Sequence, residues 1–303
     1  MIPPVCTPLT AEYEVDIASL ERLVDFLIDG GADALFFLGS TSEVAFLTDA
    51  QRRTVLDAGL AHVAGRVPVI AGVIDMTTPR VLAQAGSALA AGAAGLVATA
   101  PFYTRTHVAE IERHYRLIKA GIGEIPLYAY DIPVAVGGVK LDAEMLLRLA
   151  ADGVLAGLKD SSGNDGALRQ VLIGRRIAAA QGFSVLTGSE LTVDNAMAMG
   201  ADGVVPGLGN VDPAGYSALI RYCRAGDRER AREEQDRLVE LFGLIGAGAP
   251  ERMGRGSSAV GAFKAALQLR GVIASATTAP PAIPLNEAEI GQVRRHLAAA
   301  GLL

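Results

Sequence analysis

Residues 154–164 read VLAGLKDSSGN. The run Val154–Leu158 is apolar, the pattern of a strand buried on both faces of a parallel sheet. It ends on Lys159 and gives way to Asp160, Ser161, Ser162 and Gly163, with Asn164 or Asp165 as the N-cap of a helix. The stretch therefore predicts strand, loop and helix in immediate succession, with a lone amine where the buried strand meets its loop. In a parallel α/β architecture, functional groups gather beyond the C-terminal ends of the strands. The plainer reading is a strand-end lysine that snorkels to water or pairs with Asp160. This stretch alone leaves both readings open.

Composition sharpens the point. Lysine and arginine total 27, yet only Lys119, Lys140, Lys159 and Lys264 are lysines. Arginine cannot lose its proton near neutrality or form an imine with a carbonyl, whereas lysine can. An amine must be neutral to attack, and desolvation disfavours the charged form. That is a physical reason for an apolar run ahead of such a lysine.

Outward from this stretch the same unit recurs. Ile2–Thr7 reads as a short strand interrupted by Pro3 and Pro4. A helix over 17–30 follows, with Leu20, Leu23, Val24, Leu27 and Ile28 on one face. Strands are predicted at 34–38, 67–73, 95–99 and 126–130, with helices over 49–64, 79–91, 109–120 and 142–150. The lysine strand is the sixth, with its helix near 166–173. The seventh is 183–186, with a helix over 191–199, and the eighth is 203–205. Eight repeats at intervals of roughly 20–35 residues have the cadence of a (β/α)₈ TIM barrel. A solenoid would share the period, but no side-chain motif recurs. A doubly wound sheet is the other rival, yet no strand is followed by G-x-G-x-x-G or a P-loop. Helices are then expected over 227–244, 259–269 and 287–300, separated by a proline-rich, non-helical stretch at 277–284. The expected organisation is an α/β barrel domain over 1–225 with a C-terminal helical extension over 226–303.

At 303 residues and 50% hydrophobic, the chain can bury a large core. Its net charge of −6 carries no basic block, so no nucleic-acid partner is expected. No apolar run reaches the ~18 residues of a membrane span, and no membrane partner is expected. The opening MIPPVCTPLT lacks the pattern of a signal peptide. Cys6 and Cys223 stand in no metal or redox spacing, which implies a reduced, cytoplasmic setting. The four histidines form no cluster, so no metal is expected.

If the strands close a barrel, the residues just past each of them share one face. Strand two supplies Ser40, Thr41, Ser42 and Glu43, hydroxyls in a turn suited to a carboxylate, or else a loop that merely caps the next helix. Strand four supplies Tyr103, and strand five ends in Tyr128 and Tyr130, which alternation puts on one side. Strand-end tyrosines commonly serve packing. Strand seven ends in Gly188, Ser189 and Glu190, and strand eight in Val205; these are candidate substrate contacts. One amine, a phenol and hydroxyls for a carboxylate fit imine chemistry on a 2-oxo acid, which needs no cofactor.

The motifs GSTSE (39–43), APFYT (100–104), YDIP (130–133), GLKDSSGN (157–164), TGSE (187–190) and GADGVVPG (200–207) together resemble the dihydrodipicolinate synthase/N-acetylneuraminate lyase family. Its members are class I aldolases, barrel enzymes that bind pyruvate as a Schiff base. The resemblance runs nearly end to end. It implies that Lys159 is the Schiff-base lysine and Tyr130 the phenol beside it. Ser40 and Thr41 would hold the pyruvate carboxylate, with Ser40 also in a proton relay. Tyr103 would complete that relay from a neighbouring subunit, so a homo-oligomer, tetramer or dimer, is implied. The substrates would be pyruvate and an aldehyde or sugar acid. Two departures stand out. The family's usual Gly-x-x-Gly-Glu has Ser42 at its second glycine, which either strains a left-handed backbone or adds a hydroxyl to the pocket. The synthases carry an arginine for the second substrate's carboxylate where this chain has Ala135. The pocket thus looks more like those of the lyases and sugar-acid aldolases.

Overall fold

Short apolar runs alternating with capped helices organise the computed structural model, which describes residues 1–178 and 182–303. The chain forms two units, Met1–Pro68 with Pro206–Leu303, and Val69–Val205. The first unit begins with α1 (Ile17–Asp29), β1 (Leu35–Phe37) and α2 (Asp49–Val63). The second unit runs β2 (Val69–Gly72), α3 (Thr78–Ala90), β3 (Gly95–Thr99), α4 (Val108–Ile122), β4 (Leu127–Asp131) and α5 (Ala143–Ala151). It continues through β5 (Gly157–Asp160), α6 (Asp165–Ile177), β6 (Ser184–Thr187), α7 (Val193–Met199) and β7 (Gly203–Val204). The chain then returns to the first unit as α8 (Pro213–Ala225), α9 (Arg228–Phe242), α10 (Arg255–Leu269) and α11 (Glu287–Ala299).

In the second unit, β2 to β7 lie side by side in chain order, all parallel. Parallel neighbours need a crossover, and a helix supplies each one. β3 is buried along its whole length, as its continuous apolar sequence requires. α5 and α6 start on side-chain caps: Asp142 accepts from the Met145 amide, and Asn164 from the Ala167 amide. α6 runs past the predicted end at Ile173 to Ile177, and Gly174 within it lets α5 approach closely. A Cβ there would stand 2.2 Å from Leu147 Cδ1.

In the first unit, the strand expected at Ile2–Thr7 contracts to a single parallel bridge, Pro4 to Phe36. Pro3 and Pro4 have no amide to donate, so the ladder keeps only Val5 N–H to Phe36 O at 2.9 Å and Phe36 N–H to Pro3 O at 3.1 Å. The sequence reading passed over α8. Its signals are Asp212, which accepts from the Gly215 amide, Pro213 in the first turn and Gly226 at the left-handed C-cap. Residues 277–284 are non-helical, as their prolines require. Among the described residues, no helix is long and apolar enough to cross a membrane.

Candidate active site

The lysine strand is shorter than its apolar run. Val154 and Leu155 are buried outside the ladder, and β5 begins at Gly157 and includes Asp160. β4 likewise runs through Tyr130 to Asp131. The two strands pair Tyr128 with Gly157, Tyr130 with Lys159, and Asp131 with Asp160. Alternation sends Tyr128, Tyr130 and Lys159 to one face and the two aspartates to the other. Lys159 Nζ lies over the Tyr130 ring, 4.0 Å from its centroid. Lys159 is 6% exposed and Tyr130 3%, so the amine and the phenol ring form one nearly dry pair. Tyr128 packs beside them over Gly157, where a Cβ would stand 2.8 Å from its ring and 2.6 Å from the Ser184 carbonyl oxygen. Burial pushes the Tyr128 hydroxyl pKa up, as befits a packing tyrosine.

On the other face, Asp131 and Asp160 are buried side by side. Lys140 forms an ion pair with Asp131 Oδ2 and stands 3.6 Å from Asp160 Oδ2. The Leu141 amide donates to Asp131 Oδ1 at 3.2 Å, and the Ser162 amide to Asp160 Oδ1 at 2.8 Å. Burial raises the Asp131 carboxyl, against the opposing pull of Lys140. Sequence reading weighed Asp160 only as a partner for Lys159. The period-2 pattern was the available signal, since it turns adjacent residues of one strand to opposite faces.

The first unit holds the hydroxyl loop. Ser40 is exposed and Thr41 half-buried. The turn is closed by Ser42 N–H to Gly39 O at 3.1 Å and Glu43 N–H to Ser40 O at 3.0 Å. Ser42 is buried; its hydroxyl donates to Val5 O at 2.5 Å and accepts from the Gly39 amide at 3.1 Å. Glu43 Oε1 accepts from the Ala279 amide at 2.6 Å, and Oε2 pairs with Lys264. Cys6 is buried nearby; burial pushes its thiol up to about 12, with Lys264 and Glu43 acting in opposite senses. A protonated thiol of this kind is inert.

Comparison with known proteins decides the family. Residues 1–300 match the model of the dihydrodipicolinate synthetase family. The chain belongs to that family. An uncharacterized DapA-like lyase of Halobacterium salinarum is 33% identical over 303 residues, covering 100% of this chain and 94% of its own. A 4-hydroxy-tetrahydrodipicolinate synthase of Kineococcus radiotolerans is 32% identical over 298 residues, covering 98% and 92%. Among solved structures, a prophage protein of the dihydrodipicolinic acid synthase family from E. coli K12, in complex with pyruvate, superposes with a TM-score of 0.91. It is 29% identical, with 100% and 98% of the two chains covered.

Within this dihydrodipicolinate synthetase family chain, the remaining candidates fall in separate places. Tyr103 is 92% exposed with φ +76°, so its ring is not packed on the buried Tyr130–Lys159 pair. Ala135 ends an exposed 3-10 turn, Pro133–Ala135, just beyond β4. The Gly188 amide donates to Asp160 O at 2.6 Å, tying the loop after β6 to the end of β5. The Ser189 amide binds Thr187 Oγ1 at 3.0 Å, and its hydroxyl lies 3.1 Å from Thr192 Oγ1. Glu190 follows, half-buried. Val205 is buried, with its amide on Thr187 O at 2.8 Å. Neither anticipated consequence of Ser42 is seen. Left-handed backbone falls on Leu38 (φ +57°) and Glu43 (φ +61°) instead, and the serine hydroxyl is bonded to backbone.

Proposed function

We propose that this protein is a lysine-dependent lyase or aldolase. It forms a Schiff base between Lys159 and pyruvate or another 2-oxo acid, and makes or breaks a carbon–carbon bond to an aldehyde. The observation that carries the reading is the buried cross-strand pair of Lys159 and Tyr130. The neutral amine adds to the ketone carbon, the carbinolamine loses water, and the protonated imine draws electrons from the adjacent carbon. Loss of a proton, or cleavage of the carbon–carbon bond, leaves an enamine. Tyr130 moves the protons of addition and dehydration, with Ser40 in the relay. Ser40 and Thr41 hold the carboxylate, and Ser42 and Glu43 keep their loop in shape.

The reading assigns this chemistry to a (β/α)₈ barrel over 1–225, with 226–303 as a helical extension. The parallel order of β2 to β7 supports it. Gly188, Ser189, Glu190 and Val205 are substrate contacts, and Ala135 stands where the second substrate would be met. Tyr103, being exposed in the single chain, acts from a neighbouring subunit in a homo-oligomer, dimer or tetramer. The two free cysteines suit a cytoplasmic setting. A second reading, dihydrodipicolinate synthase proper, is favoured by relatives of that name at about one-third identity; Ala135 weighs against it. Dehydration of a sugar acid would begin from the same imine.

Pyruvate with borohydride should leave a covalent adduct on Lys159, read by peptide mass spectrometry. An unmodified Lys159, or equal labelling of Lys140 and Lys264, overturns the assignment. A screen of aldehydes and sugar acids with a pyruvate-detecting coupled assay then identifies the partner.

A further inference from the structure

Behind the proposed catalytic pair, the adjacent strands β4 and β5 each carry a carboxylate next in sequence to a reacting group: Asp131 after Tyr130, and Asp160 after Lys159. They are register partners, buried on the helix side of the sheet. Two like charges so placed would push the strand ends apart or force one carboxylate to take a proton. The Asp131 charge reaches as far as the buried Tyr115 phenol of α4, whose hydroxyl donates to Ala98 O at 3.2 Å. Among the described residues, Asp160 Oδ2 has no hydrogen-bond partner, and the nearby cation is Lys140 at 3.6 Å. The same ammonium is paired with Asp131, on a side chain that stays partly exposed.

We propose that Lys140 is a positioning residue for the imine chemistry: bridging Asp131 and Asp160, it locks the ends of β4 and β5 together and keeps Tyr130 set against Lys159. This rests on the function proposed above. It also explains why the chain spends one of four lysines here. A compact ammonium on a flexible stem can serve two carboxylates of different strands. Leu141, the next residue, binds the other oxygen of Asp131, so the bridge and the strand end are fixed together.

Three variants test the proposal. Lys140→Met leaves two buried carboxylates without their cation. It should slow borohydride trapping of pyruvate on Lys159 at least ~10-fold, because small misplacements of reacting groups cost that much. Lys140→Met/Asp131→Asn removes one carboxylate but keeps the acceptor for the Leu141 amide, and should return trapping to near the native rate. Lys140→Arg should do the same. A second readout does not depend on activity. With only four lysines, biosynthetic ¹³Cε-lysine labelling gives four resolvable methylene signals. That of Lys159, lying over a tyrosine ring, should be shifted upfield in the native protein. Lys140→Met should move it towards the free-lysine position, and the double variant should restore it. If Lys140→Met does not fold, the double variant carries the test and must fold with the upfield signal intact. An unchanged signal in Lys140→Met, or a double variant no better than the single one, overturns the proposal. If native protein forms no adduct while the signal responds as stated, the function reading fails and the positioning role stands.

Discussion

Glu43 and Lys264 form an ion pair in which both side chains are closed to water, Lys264 at 0% exposure and Glu43 at 3%. The pair ties the hydroxyl loop to α10, and Lys264 also donates to Thr277 O at 2.7 Å. Glu43 holds a left-handed backbone, which costs a non-glycine residue ~1–2 kcal/mol, and its two anchors keep it there. Removing one partner of a buried pair leaves an uncompensated charge. Lys264→Met should therefore lower stability by ~3–5 kcal/mol. Lys264→Met/Glu43→Gln, which keeps the acceptor for the Ala279 amide, should recover much of that loss. Urea denaturation reads both as a change in midpoint at constant slope. Equal destabilisation of the two variants would sink this account of the loop.

Tyr130→Phe separates chemistry from packing. The ring that covers Lys159 Nζ remains, so the stability loss should be limited to that of one buried hydroxyl, about 0.5–1.5 kcal/mol. Turnover should fall ~10²-fold or more, since the phenol proton is gone. Near-native turnover would return Tyr130 to a packing role.

Much of this was legible in the sequence, because periodicity reports which way side chains face. The apolar runs at 95–99 and 126–130 and the helix over 17–30 appear within a residue or so of their expected bounds. Long-range pairing is what the sequence hides. Lys140 and Lys264 look like ordinary lysines until the fold sets them against Asp131, Asp160 and Glu43, which lie 9 and 20 positions or many more away. Ser42 is the plainest instance. One local pattern suggested strain or a pocket hydroxyl, and only the proximity of Val5 shows where the hydroxyl goes.

Glu289 gives a pH dependence of known sign. Hydrogen bonds from Arg252, outweighing burial, and from the Asn286 and Ala249 amides lower its carboxyl pKa to about 2 from 4.5. A depressed folded-state value means that the unfolded chain binds the proton more readily. The stabilisation is therefore complete above about pH 4.5 and is lost as pH falls towards about 2. Glu289→Gln should flatten the stability profile across that window, measured by denaturation at successive pH values. A profile as steep as the native one would show that other carboxylates govern acid unfolding.

Ala135 bears on which family reaction this chain performs. A synthase reaction joins the enamine to a semialdehyde whose far end carries a carboxylate and an ammonium. An arginine there supplies charge and a planar fork, and such a charge-assisted bond is worth ~1.5–3 kcal/mol. Ala135, exposed at the end of its 3-10 turn, has neither a donor nor reach. The native chain should accordingly fall below ~10⁴ M⁻¹s⁻¹ in kcat/KM with pyruvate and aspartate semialdehyde, the lower end of ordinary enzyme efficiency. Ala135→Arg should raise that value ~10-fold, chiefly through the KM for the semialdehyde, because the new contact binds the acceptor before the bond forms. Because the turn is exposed, the longer side chain enters without displacing core packing, so the variant tests recognition rather than folding. Native kcat/KM already at or above ~10⁴ M⁻¹s⁻¹ would mean that the acceptor carboxylate is met by another residue, and that the synthase reading is the correct one.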